Sequence, residues 1–180
     1  MSSSHQFNPS ESPNYGFTVP QFPSRYLRAF LAYIDAFNAW DLDLIVDCFD
    51  EALEHRILPQ SLGRPVLNKR QYREYLKGVL PLFKKFKVTI HEVIEADEKM
   101  TVHASSVGES ASGAPYTNEY MIVVHFVPAP PPAGASALPK MRFVKEFVDS
   151  ASSVKFFTEE RAKAKAREAK EKEEREKQRS

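Results

Sequence analysis

The chain has 180 residues, a formal net charge of +1 and a single cysteine, Cys48. That length suits one domain with tails. The balanced charge points away from nucleic acid and anionic membranes, and one cysteine excludes an internal disulfide and a cysteine-rich zinc site. No apolar run is long enough to span a bilayer, and the first residues lack the charged start and apolar centre of a signal peptide. The expectation is a soluble, cytoplasmic protein with no membrane or nucleic-acid partner.

Residues 1–23 carry prolines at 9, 13, 20 and 23 and read as an irregular arm. Either the arm is a mostly disordered tail, or Tyr15, Phe17, Val19 and Phe22 lie on the domain surface or across a partner subunit. Ser24 is a good N-cap for a first helix, with Leu27, Phe30, Leu31 and Ile34 on one stripe. Asp41 caps a short second helix, with Leu42, Ile45, Val46 and Phe49 facing inward. The run from Leu53 to Pro59 reads as a strand.

Asn68 caps a third helix, with Gln71 placed to close a capping box. Tyr72, Tyr75, Leu76, Val79, Leu80, Phe83 and Phe86 form its apolar face. Pro81 should kink or divide it. Residues 87–96 and 100–107 alternate and form a hairpin through Asp97. Residues 116–127 and 141–149 are rich in β-branched and aromatic types and form a second antiparallel hairpin. The proline-rich stretch 128–139 is its long tip.

Ser150 or Ser152 caps a last helix. From Glu159 the chain is nearly all Ala, Glu, Lys and Arg. Carboxylate-before-base pairs at i,i+4 favour a solvated helix without an apolar stripe. The domain proper is therefore 24–158, with 159–180 a charged helix or tail. Helices first and a curved antiparallel sheet after give an α+β layout, able to leave a cavity at the concave face.

Three stretches together carry a family resemblance. They are Phe37-Asn-Ala-Trp40-Asp41, the strand from Tyr116 through Asn118 to Tyr120, and the closing run from Arg142 through Glu146 to Asp149. In this order the chain resembles SnoaL-like proteins of the nuclear-transport-factor-2-like superfamily, the group related to polyketide cyclases and ketosteroid isomerases. The resemblance covers roughly residues 24–158. It implies a cone-shaped α+β barrel around an apolar pocket, often dimeric through the sheet.

In catalytic members an acidic residue near the end of the last strand is the base. Asp149 matches that position, and Glu146 matches a second that is often acidic. The chain lacks the Arg-x-Asp element of limonene-epoxide-hydrolase-like members; its middle strand runs from His103 to Val107, which argues against epoxide hydrolysis. The resemblance implies an apolar small-molecule ligand of polyketide, terpenoid or steroid type. Cofactor-independent isomerase, cyclase or dehydratase chemistry follows, with no cofactor. The alternative is a non-catalytic domain that dimerises through its sheet.

The residues themselves leave choices open. Asp149 in an apolar cavity would be a tuned base; otherwise it caps the last helix. Glu146 shares a strand face with Arg142 and either pairs with it or reaches the pocket. Asn118 and Tyr120 continue the apolar row Ile122, Val124 and Phe126, as a cavity mouth would, or pack locally. His55 on the first strand is a pocket contact and acid–base candidate, and His103 is the next. Trp40, at the first helix junction, lies near the pocket mouth or is structural. His55, His91, His103 and His125 show no metal-ligand spacing, so no metal is expected.

Overall fold

The computed structural model describes residues 15–128 and 137–178. The first fourteen residues of the arm and the proline loop at 129–136 lie outside them. Helix α1 (Arg25–Asn38) starts where Ser24 accepts a hydrogen bond from the Leu27 amide at 2.9 Å. It buries Leu27, Phe30, Leu31 and Ile34. Helix α2 (Leu42–Asp47) starts at Asp41, whose side chain accepts from the Leu44 amide. It stops before Phe49, which belongs to strand β1 (Phe49–Leu58) and is fully buried there. The expected strand thus starts four residues early.

Helix α3 (Lys69–Val79) carries the capping box of Asn68 and Gln71. Pro81 divides the expected long helix: a 3-10 turn at Leu80–Leu82 follows, and strand β2 (Phe83–Ala96) begins at once. Proline has no amide hydrogen to continue the helical ladder. Phe83 and Phe86 therefore sit on a strand, not on the helix. Strands β3 (Lys99–Ser110), β4 (Pro115–Val127) and β5 (Lys140–Val148) complete the sheet. Helix α4 runs unbroken over Ser150–Gln178, so the charged run continues the last helix.

The five strands lie in the order β1-β5-β4-β3-β2. All pairs are antiparallel except β1 and β5, which run parallel. That parallel edge is absent from the sequence reading. It arises because β1 precedes the β2–β5 meander and returns to its far edge. Register shifts interrupt β1, β2 and the β4–β5 pair, and such bulges bend strands and raise twist.

The concave face carries Val88, Ile90, Val102, Ala104, Ile122, Val124 and Val144, all buried against the helices. The sheet edge at β2 meets the N-terminal segment, where the Gly16 amide donates to the Ile90 carbonyl at 2.7 Å. A Cβ at Gly16 would stand 2.9 Å from that oxygen, so only glycine permits the approach. Tyr15, Phe17 and Val19 pack on the core beside it, and Tyr15 donates to Asp35 at 2.9 Å. Phe22 stays exposed.

Candidate active site

Between the concave face and helices α1, α3 and α4 lies a cavity of about 110 Å³. Its walls are aliphatic and aromatic side chains, with Glu146, Asn118, Arg64 and Ser153 as the chemically distinct members. Five tyrosines line it. Tyr33, Tyr72 and Tyr75 come from the helices, and Tyr116 and Tyr120 from β4.

Glu146 is central to the electrostatics. Its β-sheet neighbours in register are Ile57 on β1 and Ile122 on β4, neither able to offset a charge. Arg142, which shares its strand, is occupied elsewhere: its guanidinium donates to Asp50 at 3.0 and 2.9 Å. The Arg142–Glu146 pair weighed from the sequence therefore does not form. The Glu146 side chain keeps 24% of its surface accessible, and that surface opens onto the cavity. Burial, with no compensating cation, pushes its carboxyl from 4.5 up to about 7.

His55 lies behind this carboxyl, not in the cavity wall. It is buried, stacked on Tyr72 with ring centroids 4.2 Å apart. Its Nε2 is 3.5 Å from Glu146 Oε2, and neither ring nitrogen has a hydrogen-bond partner among the described residues. Burial pushes its ring down to about 3, so it is neutral at physiological pH.

A chain of hydroxyls runs along the other wall. Ser106 Oγ and the Tyr120 hydroxyl share a 2.7 Å hydrogen bond. The Tyr116 hydroxyl lies 3.4 Å from that of Tyr120, and Asn118 Nδ2 donates to Tyr116 at 3.0 Å. Asn118 Nδ2 also donates to Ser153 on α4, while Asn118 Oδ1 accepts from the Asp149 amide at 3.0 Å. Across the cavity the Tyr33 and Tyr72 hydroxyls stand 3.4 Å apart. Burial raises the pKa of all five tyrosines, and the Glu146 charge adds to it. Tyr75 reaches about 12. All five thus stay protonated and remain donors.

The other residues singled out by sequence lie apart from the cavity lining. Asp149 follows β5 and is exposed; its carboxylate accepts from the amides of Ala151 and Ser152 at 3.1 and 3.3 Å, which starts α4. Hydrogen bonds from Ser152, side chain then backbone, hold its carboxyl below the usual range. Trp40 sits at the α1–α2 junction with a φ of 61°, partly buried and away from the lining. His103 lies on the outer sheet face, 2.7 Å from Glu119, with its ring 4.9 Å from that of His91. His125 faces the same side, against Phe143. Among the described residues no group of three His, Cys, Asp or Glu converges on a point.

Cys48 is half-buried. Its thiol donates to the Leu44 carbonyl, and burial pushes it up to about 11, so it is a poor nucleophile. The sequence reading placed Tyr72 and Tyr75 on a buried helix face without assigning them to the site. Their spacing of three on α3 was the available signal: both project to the same side. Arg64 lies in a loop with no pattern to reveal it.

Comparison with known proteins fits this architecture. The sequence pattern of the SnoaL-like domain matches residues 30–128. A monooxygenase of Claviceps purpurea is 25% identical over 96 residues, 52% of this chain and 60% of that protein. Monooxygenase AgnL5 of Paecilomyces divaricatus is 28% identical over 127 residues, 69% of this chain and 71% of that protein. The chain thus spans about 60% of the length of the first of these relatives. The crystal structure of BvnE pinacolase from Penicillium brevicompactum is 30% identical and superposes with a TM-score of 0.64, covering 78% of this chain and 96% of that one. A curved, unclosed five-stranded sheet, helices on its concave face and the matched domain pattern lead to one assignment: the chain belongs to the SnoaL-like family, within the nuclear-transport-factor-2-like fold.

Proposed function

We propose that the cavity binds an apolar, ring-bearing small molecule and that Glu146 moves a proton on it without a cofactor. The observation that carries this reading is a carboxyl at about 7, set in a tyrosine-lined cavity with no cation beside it. Such a group is close to half ionised at neutral pH. It can take a proton from carbon next to a carbonyl and return it elsewhere. The oxygen that gains charge needs donors in place beforehand, and the protonated Tyr33, Tyr72 and Tyr120 hydroxyls supply candidates. This is isomerase, cyclase or dehydratase chemistry. The pinacolase and monooxygenase names of the relatives support a small-molecule ligand.

The test is a thermal-shift screen with aromatic polyketides, terpenoids and steroids, followed by product analysis of each binder with wild type and Glu146→Gln. Raised melting temperatures with turnover lost in the variant are expected. Full turnover by Glu146→Gln would refute the proton-transfer role.

A second copy of the chain is proposed to cover the outer sheet face. Met121 and Phe147 are cross-strand neighbours there, and both are exposed, as is Phe143. An exposed apolar cluster on a sheet face suits an isologous contact. Phe147→Lys is expected to shift sedimentation from dimer to monomer. A wild type that sediments as a monomer at micromolar concentration would sink the proposal.

A further inference from the structure

The cavity interior is ring-sized, so a larger ligand must continue out through the mouth. Arg64 and Val154 are the fully exposed lining residues and mark that mouth; Leu62, Tyr75, Val79 and Phe157 are among the half-buried ones. Two guanidinium groups stand there. Arg64 lines the cavity directly from the loop before α3, and makes no ion pair among the described residues. Arg161, one turn beyond Phe157 on α4, has its Cζ 5.8 Å from the centre of the Phe157 ring. Both fields reach the Tyr75 hydroxyl and act against the burial that raises its pKa.

Glu160, which precedes Arg161, is buried and takes hydrogen bonds from Ser112 at 3.0 Å and Lys163 at 2.7 Å. Among the described residues neither arginine has an ion-pair partner. Arg64 comes from the loop before α3, and Arg161 from α4 beside the lining residue Phe157.

We propose that Arg64 and Arg161 form an anion-recognition rim, so that the ligand is an aromatic or polycyclic carboxylate whose ring enters the cavity while its carboxylate stays at the mouth. The proposal rests on the reading of the cavity as a ligand site and adds the charge of the ligand and its direction of entry. The rim also orders the reaction: with the acidic end held outside, the apolar end is the part presented to Glu146. A carboxylate pointing inward would meet a second carboxyl in an apolar pocket, which costs far more than an exposed ion pair returns.

The test compares naphthalene-2-carboxylate with naphthalene-2-carboxamide, by fluorescence titration at pH 7.5, in wild type, Arg64→Gln, Arg161→Gln and the double variant. Exposed ion pairs contribute about threefold each, so wild type should prefer the carboxylate about tenfold. The preference should fall stepwise and vanish in the double variant. Equal affinity of the two probes for wild type overturns the rim and leaves the cavity reading intact. A preference that survives in the double variant also overturns the rim. Failure of both probes to bind wild type overturns the cavity reading and the rim with it.

Discussion

Glu146 Oε2 and His55 Nε2 stand 3.5 Å apart without forming an ion pair. Burial drives the two groups in opposite directions, the imidazole down to about 3 and the carboxyl up to about 7. Between those values both are neutral. The pair therefore avoids the desolvation cost of a buried ion pair, and leaves the proton on the group that faces the cavity. His55 backs the site through its stacking on Tyr72 rather than by accepting a charge.

This arrangement sets the pH dependence of stability. Glu146 is held above its unfolded value, so it contributes stability present below about pH 4.5 and lost as pH rises through about 7. His55 is held below its unfolded value, so it contributes stability present above about pH 6.5 and lost as pH falls through about 3. The two slopes oppose each other between pH 4.5 and 6.5. Glu146→Gln removes only the first. Relative to the variant, wild type should lose about 1 kcal/mol between pH 6 and pH 8 in urea unfolding. Parallel stability curves for the two proteins would show an unshifted carboxyl.

The same carboxyl can be observed directly. With carbon-13-labelled glutamate, the Glu146 side-chain carboxyl signal, assigned by its absence in Glu146→Gln, should titrate with a midpoint near 7. Exposed glutamates in the same spectrum should titrate near their ordinary value. A Glu146 midpoint within that group would mean that water or a cation reaches it.

How much of this was legible depended on which contacts are local. The caps at Ser24, Asp41 and Asn68, and the alternation along β3 and β4, follow from neighbours in sequence and could be read. The division at Pro81 was anticipated, but a strand resuming at Phe83 was not, because aromatic residues at helical spacing also fit a strand packed at both ends. The parallel pairing of β1 with β5 joins residues some ninety positions apart and has no local signature. The state of Glu146 depended on the same kind of information. Arg142 was its apparent partner along the strand, yet Asp50, across the sheet edge, claims that guanidinium.

Asn118 ties the cavity wall to its α4 cover. Its amide donates to Tyr116 and Ser153, and its carbonyl accepts from the Asp149 amide. Asn118→Ala leaves several buried polar groups without partners and should destabilise the fold by roughly 2 kcal/mol. Amide exchange at the start of α4, over residues 149–154, should accelerate more than exchange in β3. Uniform acceleration across the sheet would show that Asn118 supports the whole fold and not this joint.

Two carboxylates compete for the role of base, and their surroundings separate them. Asp149 is exposed, bound to the first amides of α4 and held in its charged form, which makes it a weak proton acceptor. Glu146 faces the cavity and is poised near neutrality. Asp149→Asn keeps the shape and loses part of the cap, so it should lower the melting temperature modestly while turnover of an identified substrate persists. Glu146→Gln should preserve or raise stability at pH 8 while reducing turnover by about 10²-fold or more, the usual contribution of a general base. In wild type the rate should rise with pH through about 7 as the carboxylate forms. Loss of turnover in Asp149→Asn with ligand affinity unchanged would return the role to the end of the strand, and would require Asp149 to leave its helix cap when the ligand binds.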